Sequence, residues 1–144
     1  MRVFLTTFGA VLIAGASYAH DGVKDPDVKA RMHLMMQVKE QMGTLGKMAN
    51  GAMPFDADRA QEARAALLAY TTQIPKAFET PAQDPKSEAL VTIWTSFPDF
   101  LERTSRMHSA FTALDASTQA GLQSGLAAAA GTCKSCHSSY RAKK

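Results

Sequence analysis

Residues 115–140 read DASTQAGLQSGLAAAAGTCKSCHSSY, and two patterns overlap in them. Leu122, Leu126, Ala129, Cys133, Cys136 and Tyr140 recur at the three-and-four spacing that places side chains on one face of an α-helix. Asp115-Ala116-Ser117 supplies a helix cap ahead of that stripe. Inside the helix, Cys133-Lys134-Ser135-Cys136-His137 is C-x-x-C-H, the pattern of c-type haem attachment: two thiols join the haem vinyl groups and the adjacent imidazole binds iron. The stretch calls for a helical fold that walls a porphyrin with apolar side chains and sets what faces the second axial position.

C-x-x-C also serves thioredoxin-like redox sites and half of a zinc site. The first needs a βαβ context that is absent here. The second needs two more ligands, and a chain with two cysteines would draw them from the scattered His20, His33 and His108. A disulfide in a cofactor-free bundle is the plainest rival. The histidine immediately after the second cysteine favours haem over all three.

Working outward, the rest of the chain is also helical. Asp25-Pro26 is an N-cap followed by proline at the first helical position, and Val28, Met32, Met35, Met42 and Leu45 recur until Asn50-Gly51. Asp56 caps a second helix carrying Ala60, Ala63, Leu67, Tyr70 and Ile74, which ends at Pro75. Residues 75–86 hold Pro75, Pro81 and Pro85 and form the longest loop. From Ser87, the stripe Leu90, Ile93, Phe97, Phe100, Thr104, Met107, Phe111 and Leu114 predicts a third helix, bent at Pro98 rather than divided. No stretch alternates with period two. The expected fold is all-α: an antiparallel four-helix bundle with covalent haem near the C-terminal end of the fourth helix.

Residues 1–19 have the anatomy of a secretory signal peptide: Arg2, an apolar run from Val3 to Ala14, then Ser17-Tyr18-Ala19 as a small-x-small cleavage site. The run is too short to span a membrane, and nothing later approaches the ~20 apolar residues that spanning needs. Residues 20–144 are then a single domain delivered to the periplasm, where haem is joined to C-x-x-C-H. The formal charge of the chain is +3, and losing Arg2 lowers it by one. That is too small to imply a nucleic-acid partner. No nucleophile–base pair, phosphate loop or glycine-rich fingerprint is present, so the sequence reads as a non-enzyme.

The order of parts resembles the cytochrome c prime family of class II c-type cytochromes over essentially the whole mature chain. Beside the haem motif and Tyr140-Arg141, the matching elements are Arg31 with Met42-Gly43, Pro54-Phe55-Asp56, Ala77-Phe78 and Ile93-Trp94. The resemblance implies one covalently attached haem c, with His137 as iron ligand and Met35 facing the open side. It also implies that Arg31 reaches a propionate and that Arg141 tunes the imidazole or holds a propionate. Arg31 and Met35 are i and i+4, hence on one helical face.

In five-coordinate relatives the position of Met35 resembles a bulky residue that blocks iron without binding it. A methionine there looks like the low-spin branch, in which His and Met both bind iron and the protein carries electrons between redox partner proteins. Methionine also simply fills cores. If Met35 only packs, the expected function is a five-coordinate haem that binds nitric oxide or carbon monoxide. Met36 and Met32 are fallback ligands. The resemblance leaves a homodimer through helices one and two open, although Lys39, Glu40, Arg59, Glu62 and Arg64 make their outer face polar.

Overall fold

The computed structural model describes residues 22–143; the leader expected at residues 1–19, and His20, lie outside them. Five helices follow one another: α1 (Pro26–Ala49), α2 (Ala57–Ala77), α3 (Thr92–Thr95), α4 (Phe97–Ala113) and α5 (Gln119–Tyr140). The four long ones pack as α1 on α2, α2 on α4, α4 on α5 and α5 on α1, the square of a four-helix bundle. None of the described helices is long and apolar enough to cross a membrane.

Capping sets the helix starts. The carboxylate of Asp25 accepts the amide of Val28 at 2.9 Å, and that of Asp56 accepts Arg59 at 3.0 Å. The cap of α5 is Thr118, which accepts Gly121 at 3.0 Å, one residue beyond the expected cap. Asp115 instead folds back on the amide and hydroxyl of Ser117. After α1 the chain turns at Gly51, whose φ of +78° is readily available only to glycine.

Three expectations for the helices are corrected. The third helix is divided, not bent: α3 ends at Ser96 (φ −132°, ψ 39°) and α4 begins with proline in its first turn. A continuous helix would leave the carbonyl of Trp94 without the N–H that Pro98 lacks. Restarting places the proline where no N–H is required. The helix also starts at Thr92 rather than Ser87, because residues 88–90 pair with the chain's end: Leu90 N–H donates to Tyr140 O at 3.0 Å and Ala142 N–H to Glu88 O at 2.8 Å. Helix α2, finally, runs through Pro75 to Ala77, with Phe78 N–H closing on Ile74 O.

The core stretches along the bundle through Leu34, Val38, Leu45, Met48, Ala60, Leu67, Phe100, Phe111 and Leu122. On α1 the centre of the buried face is Leu34–Val38–Leu45, not the methionine stripe, which flanks it. A smaller cluster of Val23, Val28 and Ala82, with Met32 against it, sits under the long loop. Arg64, expected on an outer face, is half-buried and donates from Nε to Phe111 O at 2.9 Å. It thereby satisfies carbonyls that the end of α4 leaves without intrahelical partners.

Candidate haem site

The register between α1 and α5 decides which side chains share a level. These helices run antiparallel, joined at one end by Gln119 Nε2 to Met48 O (2.9 Å) and Gln123 Nε2 to Ala49 O (2.8 Å). At a rise of ~1.5 Å per residue, about 20 Å along α1 from Met48 arrives at Met35. The same distance along α5 from Gln119–Gln123 arrives in the segment holding Cys133 and Cys136. Met35 therefore stands level with the C-x-x-C-H motif.

Both cysteines are free and half-buried, and they pack against the same core cluster as Met35 and Met42. Burial pushes both thiols above the ordinary cysteine pKa. They therefore lack the lowered pKa that marks the activated thiolate of a disulfide oxidoreductase. Among the described residues no group of three or more His, Cys, Asp or Glu is placed to hold a metal ion, which removes support for the zinc rival.

His137 lies one residue around the helix from Cys136, at the edge of the buried face, and is exposed on its outer side. Partial burial of its ring, then the charge of Arg141, holds its pKa below the ordinary histidine value, with Glu88 opposing. A neutral imidazole is the form that binds iron. An open pocket of about 440 Å³ adjoins it, lined by Lys134, His137, Ser138, Arg141, Ala142 and Lys143. Two thiols packed against the apolar core with an imidazole beside them at its edge fit a covalently held haem.

The other candidates separate by direction. Met35 and Met42 pack on the main cluster, Met32 on the smaller one, and Met36 is half-buried on neither. His33 is exposed. His108 is half-buried and shares a 2.8 Å hydrogen bond between its Nδ1 and the hydroxyl of Thr71. Of the small residues before the motif, Ala129 is fully buried, while Ala130 and Gly131 face outward.

Arg31 is only 3 % exposed. Its Nε donates to Ala77 O at 2.7 Å, Nη1 to Ala82 O at 3.2 Å and Nη2 to Thr80 O. The guanidinium carbon lies 5.0 Å from the ring centre of Phe78 and 5.2 Å from that of Trp94. Burial lowers its pKa, against the charges of Asp27 and Asp25. Arg31 thus fastens the start of α1 to the loop after α2. Arg141 follows the last turn of α5 and pairs with Glu88 at the bridge between Ala89 and Arg141.

Sequence reasoning missed a network beside the cysteines. The Tyr140 hydroxyl donates to Asp99; Arg103 Nε donates to the same carboxylate at 2.7 Å; and Arg103 Nη1 donates to Ser135 O and Oγ, each at 3.0 Å. The hydrogen bond from Tyr140, then that from Arg103, holds the Asp99 carboxyl below its ordinary pKa. The i, i+4 spacing of Asp99 and Arg103 was a readable signal. Asp84 left none: it accepts the amides of Lys24 (2.8 Å), Asp25 (3.2 Å) and Lys86 (2.9 Å), tying the N-terminal segment to the loop.

A helical bundle with paired thiols and an imidazole at one end of its last helix defines a bundle-type c haem protein. The profile of the cytochrome c' family matches residues 27–141. The cytochrome c' of Cereibacter sphaeroides is 35% identical to the chain over 99% of both lengths. A cytochrome c-556 of Agrobacterium fabrum is 29% identical over 92% of this chain and 89% of its own. The solved cytochrome c' of Rhodopseudomonas palustris superposes with a TM-score of 0.75 at 27% identity, covering 84% of this chain and 99% of that one. The chain belongs to the cytochrome c' family, whose members carry a covalently attached haem c.

Proposed function

We propose that the chain is an exported periplasmic haem c protein, without enzymatic activity, in which residues 1–19 are the leader and residues 20–144 the single working domain. Cys133 and Cys136 would hold the haem and His137 would bind its iron, with Met35 level with them on the facing helix. When bound, haem c supplies a one-electron couple and an axial site whose occupant decides its use. The chain's own residues fix that occupant. The core cluster excludes water from the Met35 side, while His137 at the edge of α5 remains open to solvent.

The family match and the relatives named cytochrome c' favour the five-coordinate reading over a permanent His/Met pair. In it Met35 would keep the space beside the haem filled without binding iron, and nitric oxide or carbon monoxide would be the external ligand. The carrying observation is that Met35 is a half-buried core residue at the level of the thiols. The same observation keeps a second reading in view, because its thioether is the soft group that would complete a six-coordinate, electron-carrying iron with redox partner proteins.

Optical spectra of the exported holoprotein and of Met35→Leu, in both oxidation states and with carbon monoxide, separate the two. High-spin bands and ready carbon monoxide binding in both proteins establish the five-coordinate reading. Low-spin bands with a far-red sulfur-to-iron band, resistance to carbon monoxide, and loss of both in the variant establish the six-coordinate one.

A further inference from the structure

Charge along the chain is unevenly placed. From Ala116 to the end there are four basic residues, Lys134, Arg141, Lys143 and Lys144, and no acidic one. The whole chain carries +3, so everything before Ala116 sums to one negative charge. Within α5, Lys134, His137 and Ser138 stand at i, i+3 and i+4 beside the buried stripe of Cys133, Cys136 and Tyr140, and Arg141 follows them in extended backbone just past the helix end. Lys134 and Lys143 are exposed, and neither forms an ion pair with a described residue.

The neighbouring elements add little that cancels this. From α4, Asp99 is matched by Arg103, and Glu102 by Arg106. From the segment before α3, Glu88 is matched by Arg141. The surplus left on this face among the described residues is Lys134 and Lys143. Both line the open pocket at His137, where the proposed iron ligand meets solvent.

We propose that this face is the docking surface for an acidic one-electron redox protein. The inference rests on the haem position given above, but not on which group occupies the sixth coordination position. Positive charge around an exposed redox edge attracts a negatively charged partner and orients it edge-on before contact. In the exchange one electron passes between the partner's redox group and the haem. One is oxidised as the other is reduced, with no bond made or broken.

The test uses reduced holoprotein mixed with hexacyanoferrate(III), an anion, or hexaammineruthenium(III), a cation, across ionic strengths of about 10 to 300 mM, where the screening length shrinks to a few ångströms. The anionic oxidant is expected to slow about tenfold with salt, the cationic one to speed up, and poly-L-glutamate to compete with the anion at low salt. Lys134→Glu/Lys143→Glu, and Lys143→Glu alone outside the helix, should weaken or reverse these trends. Lys47→Glu/Arg59→Glu alters net charge as much as the first double variant but at the bundle's other end, and should keep them. Equal loss in both double variants would show an effect of net charge only and overturn the docking face, as would absence of competition by poly-L-glutamate. Failure of the haem position is seen separately, as a protein without covalent haem absorbance. The carbon monoxide spectrum reports the sixth position independently.

Discussion

Replacing Arg31 by methionine removes three charge-assisted hydrogen bonds at once and strands their acceptors. A net bond to a charged donor is worth about 1.5–3 kcal/mol, but three such values overcount, because burying the guanidinium costs part of that gain. The acceptors then decide the loss. Thr80 is exposed and its carbonyl can be rehydrated, whereas Ala82 is buried and Ala77 half-buried. We expect a loss of about 3–5 kcal/mol, which for a domain of this size lowers the melting temperature by about 10–20 °C. Arg31→Lys keeps the charge but loses the planar fork between Phe78 and Trp94, and should fall about halfway. Urea and thermal unfolding of the holoproteins by far-ultraviolet circular dichroism measure both. A methionine variant within about 1 kcal/mol of the parent would refute the clamp. If its reduction potential shifted instead, Arg31 would act on a propionate, as the family resemblance implies.

Tyr140→Phe keeps the ring on Phe100, 5.5 Å away centre to centre, and deletes the bond to Asp99 together with a long one, 3.5 Å, to Ser96 O. Water can reach that exposed carboxylate, so the loss should be about 1 kcal/mol by urea unfolding. Asp84→Asn weakens three amide contacts made by a carboxylate whose pKa is lowered chiefly by its bonds to Lys86 and Lys24. A lowered folded-state pKa gives stability that is present above the ordinary value of 3.8 and lost as pH falls through the lower folded value. The variant's melting temperature should therefore drop at pH 7 and converge on the parent's as the pH falls through that lower folded value. Gly121→Ala would bring a methyl 2.4 Å from the Asp115 carboxylate and 2.7 Å from its backbone oxygen. It should cost about 1–3 kcal/mol in the same unfolding assay.

The bundle was readable because it rests on periodicity and capping, both local. The stripe on α5 and the caps at Asp25 and Asp56 lie where the sequence places them. Pro98 was misjudged because a proline can bend a helix or begin one; the choice depends on whether the preceding turn has other partners. Here the strand-like pairing of residues 88–90 shortens that preceding helix to one turn. At the site, the motif names Cys133, Cys136 and His137 without help from folding. Arg31 was legible as a residue worth singling out, but its carbonyl partners lie 46 to 51 positions away at the end of α2 and in the proline-rich loop after it, and no pattern in sequence announces a carbonyl. Asp84 was hidden for the same reason. The Leu34–Val38 face of α1 was missed because Met32, Met35 and Met42 drew the stripe toward its flank.

The pairing of Glu88 and Leu90 with Tyr140 and Ala142 ties the chain's last residues back across α3, α4 and α5. It acts as a latch that can close only once residues 140–142 are present. In a chain delivered from its N-terminus, α1 and α2 can form a hairpin before the thiols emerge, leaving the far wall ready when they do. A cut just after His137 would open the latch while leaving Cys133, Cys136 and His137 in place. Tags for purification accordingly belong at neither end of α5 but in the exposed turn at Asn50–Gly51.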